Sequence, residues 1–249
     1  MNATIFHIPH ASTFIPDRYL SGFLPGLEEN LLRMTDWYTD ELFDFGFGDR
    51  LVYPVSRLVC DPERFRDDER EEMAQIGMGV AYQTGYDLKP IRRKLTPEKR
   101  EEILRAYYDP HHRKLNKLTE EKLALYRRCL IVDCHSFHAT PLPYEKDGLR
   151  PDICLGTDDF HTPEWLSESL AKSFWRMGYT VSMNRPFAGT MVPLSHYGKD
   201  PRVLSVMIEV NRGLYMTENG EKKDAFAQMK RDIGKAIRSV VSALETISY

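Results

Sequence analysis

The chain has 249 residues, 42% of them hydrophobic and 29% charged, which is ordinary for a globular protein and enough for a substantial buried core. A formal net charge of -3 gives no electrostatic case for nucleic acid or an anionic membrane as the main partner. No apolar run approaches the roughly 20 residues needed to span a bilayer. The start MNATIFHIPH lacks a basic segment followed by a long apolar one, and Cys60, Cys129, Cys134 and Cys154 form no C-x-x-C pair. A reducing, cytoplasmic location is the expectation.

Taken in chain order, the first predicted strand is Thr4–Ile8. A helix over Glu28–Phe45 follows from an apolar stripe at Leu31, Met34, Tyr38, Leu42 and Phe45. Leu51–Val55 reads as a strand. A charged helical segment starts at Thr96, with Pro97 in its first turn, and runs to about Arg128, Pro110 kinking or splitting it near the middle. The run Leu130–Cys134 is almost wholly apolar, as in a central strand covered on both faces. Strands at Ile153–Leu155, Tyr179–Met183 and Val203–Val210 alternate with helices at Pro163–Met177 and Lys222–Thr246. This alternation predicts an α/β fold, a three-layer α/β/α sandwich around a mixed, mostly parallel sheet. With no repeat and no evident linker, residues 1–249 read as a single domain.

Polar residues interrupt or end the apolar strands in three places: Ile5-Phe6-His7-Ile8-Pro9-His10, Ile131-Val132-Asp133-Cys134-His135-Ser136 and Val206-Met207-Ile208-Glu209-Val210-Asn211-Arg212. Open α/β sheets bind ligands beyond the carboxyl ends of their strands. A catalytic zinc takes three protein ligands of imidazole or carboxylate type plus water, so His10 and His135 are the first two candidates and Asp36 the third. Each has a plainer reading: a hydrogen-bonded core histidine, or for Asp36 a surface acid or local cap. Glu209 is costly if buried alone. It reads either as a structural partner of Arg212 or as a general base that takes a proton from a metal-activated water and passes it to a leaving amine. Arg57 and Arg64 bracket a largely apolar segment and suit a bidentate grip on an acidic substrate, unless they are committed to Asp61. The loop Asn184-Arg185-Pro186-Phe187-Ala188-Gly189-Thr190 combines polar groups with a flexible glycine and reads as a substrate-contacting turn or a simple connection. Asp133, two residues before His135, is the candidate to orient that histidine, or it caps a helix. His7 alternates with the strand pattern and is expected to face a helix; His138, His161 and His196 are expected in solvated loops.

Together, HIPHAS, TDWYTDELF, VSRLVCDPERF, YYDPHHRKL, VDCHSF, NRPFAGT and MIEVNRG, in that order, resemble the N-formylglutamate amidohydrolase family. The resemblance implies a zinc carboxypeptidase-like fold, with His10, Asp36 and His135 binding zinc or another divalent metal and Glu209 assisting the water. It also implies Arg57 and Arg64 as holders of substrate carboxylates, with His112 and Asn184 near the site. Hydrolysis of N-formylglutamate to formate and glutamate, a step in histidine degradation, is the implied reaction. Two departures bear on the substrate. Glu63 stands where the family often has asparagine, and His111 where it often has tyrosine, and an acidic Glu63 is unfavourable near an acidic substrate unless it points away. Rival readings are a peptidase or peptidoglycan-type amidase on the same scaffold, or a binding protein that keeps the fold. The sequence does not give the oligomeric state.

Overall fold

The computed structural model describes residues 2–246. In chain order its elements are β1 (Thr4–Ile8), α1 (Asp17–Leu20), α2 (Leu27–Met34), α3 (Thr39–Leu42), β2 (Asp49–Val52), α4 (Pro97–Ile103), α5 (Asp109–Tyr126), β3 (Cys129–Phe137), β4 (Ile153–Gly156), α6 (Glu164–Arg176), β5 (Val181–Met183), β6 (Val203–Asn211) and α7 (Phe226–Thr246). Short 3-10 turns lie at Glu72–Ile76 and Arg212–Leu214. The strands form one sheet in the order β2-β1-β3-β6-β4-β5. Neighbours run parallel except β4 against β6, which makes the sheet mixed and mostly parallel, as predicted.

Strand alternation sorts the core into two layers. Phe6, Ile8, Val132, Cys134, Val206 and Ile208 face one side, where they pack on Leu166, Leu170 and Phe174 of α6 and Ile233, Ile237 and Val240 of α7. Ile5, Ile131 and Val203 face the other side, under Leu115 of α5. Each such fully buried aliphatic or aromatic side chain is worth roughly 1.5–3 kcal/mol, so the two layers hold the sheet from both faces. Further along the α5 side, toward the strands' carboxyl ends, the apolar pattern gives way to His7, Asp133, His135, Met207 and Glu209, with His7 opposite Asp133 and His135 opposite Glu209. The sheet thus delivers its chemistry to one face at one end.

Several boundaries differ from the sequence expectation. β3 runs on to Phe137, so His135 sits inside the ladder rather than past its end. The predicted helix Glu28–Phe45 is two helices: Thr35 is extended (φ -77, ψ 139) and Tyr38 is left-handed (φ 64), so Asp36 lies in the break and not on a helix. The periodicity runs through the break because Met34 and Leu42 are buried on either side of it. Pro110 falls in the first turn of α5, and the helix is widened just before it, over Leu104–Tyr108. A proline has no N–H for the preceding turn, and a wide turn absorbs the loss. β2 begins and ends earlier than predicted, β5 starts at Val181, and α7 starts at Phe226. His161 and His138 are buried rather than solvated, His161 through a 2.7 Å contact of Nδ1 with the Val203 carbonyl. All four cysteines are free and buried, as expected for a small apolar role. Among the described residues no helix is long and apolar enough to cross a membrane.

Gly156 ends β4 directly beneath the loop that carries Thr190. A Cβ there would collide with the Gly189 carbonyl oxygen and the Met207 side chain, so the loop's seat on the sheet depends on a missing side chain. Gly156→Ala should cost about 1–3 kcal/mol, as overpacked positions do. The denaturant midpoint should fall at constant m; an unchanged midpoint would mean that the loop is not held there.

Candidate metal centre

His10, Asp36 and His135 are buried and present ligand atoms that all lie within 4.8 Å of one another. His10 follows β1, His135 is in β3, and Asp36 enters from the break after α2, its amide bonded to the His10 carbonyl at 3.0 Å. Asp36 Oδ2 lies 3.1 Å from His135 Nδ1 and 3.7 Å from His10 Nδ1. The other carboxylate oxygen, Oδ1, accepts from Arg212 Nη2 at 3.0 Å. Arg212, which the sequence offered as a partner for Glu209, instead braces Asp36 and donates to Ser136 and Arg33.

The far nitrogens of both rings meet carboxylates. His10 Nε2 is 2.9 Å from Asp61 Oδ1, and His135 Nε2 is 3.1 Å from Glu63 Oε1 and 3.2 Å from Asp133 Oδ1. An ionised carboxylate only accepts, so Nε2 carries a proton on each ring and Nδ1 faces Asp36; at His135 the Asp36 oxygen 3.1 Å from Nδ1 draws a second proton there, which a metal would displace. His10 Nδ1 is buried without any hydrogen-bond partner. An orphaned imidazole nitrogen facing a second imidazole and a carboxylate is the donor set of a divalent metal, with the carboxylates behind the rings fixing their tautomers. The residues fit a metal. Asp133 therefore stands where the sequence reading put it, behind His135. Asp61, read from the sequence only as an ion-pair partner, does the same for His10.

Glu209 faces the same side as its neighbour His135, with Oε2 buried and unpartnered. Burial pushes its carboxyl up to about 7, with His135 opposing the shift. Arg57 donates to Asp61 Oδ2 at 2.9 Å and to the Tyr82 hydroxyl at 3.0 Å, and its Nη1 is 3.9 Å from Asp36 Oδ1. Arg64 lies 3.8 Å from the same Asp61 oxygen. Both arginines are thus committed to Asp61, yet each keeps a buried, unpartnered Nε. Arg150, which the sequence did not single out, is close enough to feel the charge of Glu209 and the Tyr144 hydroxyl; nothing in its local sequence marked it.

Arg64, His112 and Thr190 line a cavity of about 380 Å³ on the α5 side of the sheet, together with Glu63, Asp133 and Met207. His112 Nε2 donates to the Pro62 carbonyl at 2.8 Å, and burial pushes its pKa down to about 4, so the ring is neutral. Thr190 Oγ1 is 2.7 Å from Ser205 Oγ. Asn184 is not brought to the site: both ends of its amide are tied to Thr157, at 2.7 and 2.8 Å, and it serves as a brace within its loop. Glu63 lies behind the histidine rings, on the side of their Nε2 atoms, and so points away from the Nδ1 face.

Comparison with known proteins agrees with this architecture. The family described as N-formylglutamate amidohydrolase matches residues 2–216. The fold is similar to that of an N-formylglutamate amidohydrolase from Ralstonia eutropha JMP134, with a TM-score of 0.83 and 23% identity over 97% of this chain and 94% of that one. It is also similar to a gene product of Agrobacterium tumefaciens, with a TM-score of 0.69 and 20% identity over 96% of this chain and 92% of that one. No curated protein matches the chain by sequence.

Burial opposes ionisation of Asp61, but His10, Arg57 and Arg64 hold its carboxyl well below the ordinary range. A carboxyl depressed by folding stabilises the chain above its unfolded pKa, about 3.9, and that contribution is lost as pH falls from there toward the folded value. Asp61→Asn should therefore lower Tm at neutral pH, in chelator, and flatten its decline below about pH 4. An acid limb as steep as the wild type's would show that Asp61 is not the linked group.

Proposed function

The chain belongs to the N-formylglutamate amidohydrolase family, and on that premise we propose that it cleaves the N-acyl amide of a small acidic N-acyl amino acid, N-formylglutamate above all, with a divalent metal, zinc, held by His10, Asp36 and His135. The observation that carries this reading is the unpartnered Nδ1 of buried His10 facing Asp36 beside His135. Two imidazoles and one carboxylate suit zinc and leave a position open. When bound, the ion would act as a Lewis acid on the amide carbonyl and bring the pKa of an attacking water toward about 7.

The chain's own groups supply the rest. Glu209 Oε2, buried and unbonded, accepts the proton of the attacking water and returns it to the amide nitrogen as that bond breaks, giving formate and a free amino group. Its raised pKa favours both transfers, because a base near the working pH gives its proton back readily. Arg212 keeps Asp36 ionised and in place, and Asp61 keeps the His10 tautomer. The spare N–H donors of Arg57, next to Asp36, and of Arg64, which lines the 380 Å³ cavity, suit a substrate carboxylate.

Glu209→Gln keeps volume and loses the base, so kcat should fall by roughly 10²- to 10⁴-fold while metal content and fold survive. Near-normal turnover with a lowered Tm would instead make Glu209 a structural residue.

Arg57→Lys keeps the charge but loses the planar fork, and should raise KM for N-formylglutamate more than it lowers kcat. The assay is formate release across N-formyl, N-acetyl and dipeptide substrates. Equal processing of neutral N-formyl amino acids would remove the arginine clamp from the reading, and faster dipeptide cleavage would favour a peptidase.

A further inference from the structure

The polar cluster does not end at the three residues facing Asp36. Behind His135, on its Nε2 side, His7 Nδ1 lies 2.7 Å from Asp133 Oδ1 and 3.7 Å from Glu63 Oε1, and these atoms form a second group with metal-ligand spacing. It shares no residue with the first group. A third combination, His10 with Asp61 and Glu63, is already spent: Asp61 Oδ2 takes Arg57 and Tyr82, and its Oδ1 takes His10 and the Glu63 amide.

We infer that His7, Glu63 and Asp133 form a second divalent-cation site, set behind the first and separated from it by the His135 ring. The charges argue for it. Asp36 and Asp61 each have arginine partners, but among the described residues no arginine or lysine lies within 4.0 Å of Glu63 or Asp133. Their ion-pair neighbours are imidazoles. The single Nε2–H of His135 stands between Glu63 Oε1 and Asp133 Oδ1 and cannot fully serve both. Asp133 is buried and Glu63 half-buried, and two carboxylates brought together there favour a cation between them.

The surroundings are built as metal sites are built. Before an ion binds, Asp133 Oδ1, 2.7 Å away, draws a proton to His7 Nδ1, so a metal must displace that proton; His111 Nε2, 2.8 Å from His7 Nε2, then accepts from the ring's other nitrogen. The other oxygen of Asp133 accepts the Met191 amide at 2.9 Å. Glu63 and Asp133 line the 380 Å³ cavity, which gives an ion a route to them. One imidazole and two carboxylates form a harder donor set than the first group, suited to Mn²⁺ or Mg²⁺ as well as Zn²⁺.

The test is metal stoichiometry by equilibrium dialysis and elemental analysis, with Zn²⁺ and separately with Mn²⁺, on the full chain. The variant is Glu63→Gln, at a partly exposed side chain where the shape is kept and the charge removed. Wild type should bind about two ions per chain and Glu63→Gln about one, with Tm in chelator little changed. Asp36→Asn should instead lose the other ion and keep the one that needs Glu63. Saturation of wild type at about one ion, or an unchanged stoichiometry in Glu63→Gln, overturns the second site. Loss of that single ion in Asp36→Asn would then leave the first site standing, so the two readings fail separately.

Discussion

The arrangement turns on which nitrogen of each histidine carries the proton. Asp61 behind His10, and Glu63 with Asp133 behind His135, can only accept, so they draw Nε2–H toward themselves and turn both Nδ1 atoms to the same side. Asp36 completes the set only because its second oxygen is taken by Arg212. If Asp61, or Glu63 and Asp133 together, were removed, the rings could adopt the other tautomer or rotate, and the front face would lose its common focus. The hydrogen bonds that matter most to the candidate chemistry are therefore on the side away from it. The fold supplies them from distant segments: β1 and β3 carry the rings, and the chain after β2 returns to place Asp61 and Glu63 behind them.

Much of this was legible in the sequence because strands announce themselves by apolar runs, and a polar residue interrupting such a run stands out. His10, His135 and Glu209 were visible in that way, as was the sandwich around a mixed sheet. Asp36 was found with the wrong backbone. Helical periodicity counts which residues are buried, and Met34 and Leu42 are both buried, in different clusters, although extended Thr35 separates their helices. The pairing of His7 with His111 joins residues 104 positions apart, and no local pattern reports it. Arg212 shows the same limit from the other direction. It is three residues from Glu209, yet the end of β6 turns it toward Asp36, on a segment that proximity in sequence could not suggest. Asn184 had the composition of a contact residue, but a left-handed backbone at φ 54 closes its amide onto Thr157.

The distribution of cations explains why neighbouring acids behave differently. Asp36 and Asp61 are deeply buried, which by itself favours the neutral acid, but His10 and the nearby arginines, Arg212 for Asp36 and Arg57 for Asp61, hold both well below the ordinary carboxylate range. Glu209 is buried as deeply and has no bonded cation, so desolvation dominates and its carboxyl rises to about 7. Sending Arg212 to Asp36 rather than to Glu209 thus does two things at once: it holds Asp36 as an anion and leaves the Glu209 carboxyl raised toward neutral pH. Folding bears the cost of one unsatisfied carboxylate oxygen.

Glu63 is an extra acid at a pocket proposed for an acidic substrate. Coulomb repulsion between like charges depends on distance and on what lies between them. Glu63 is screened from the Nδ1 face by both imidazole rings, while Arg57 stands on that face beside Asp36. Within the 380 Å³ cavity Glu63 is accompanied by the guanidinium of Arg64, which offsets its charge there. Replacing a neutral amide with a carboxylate at this position therefore changes the charge behind the histidines far more than the charge in front of them, and its consequences fall on what the back of the site can hold.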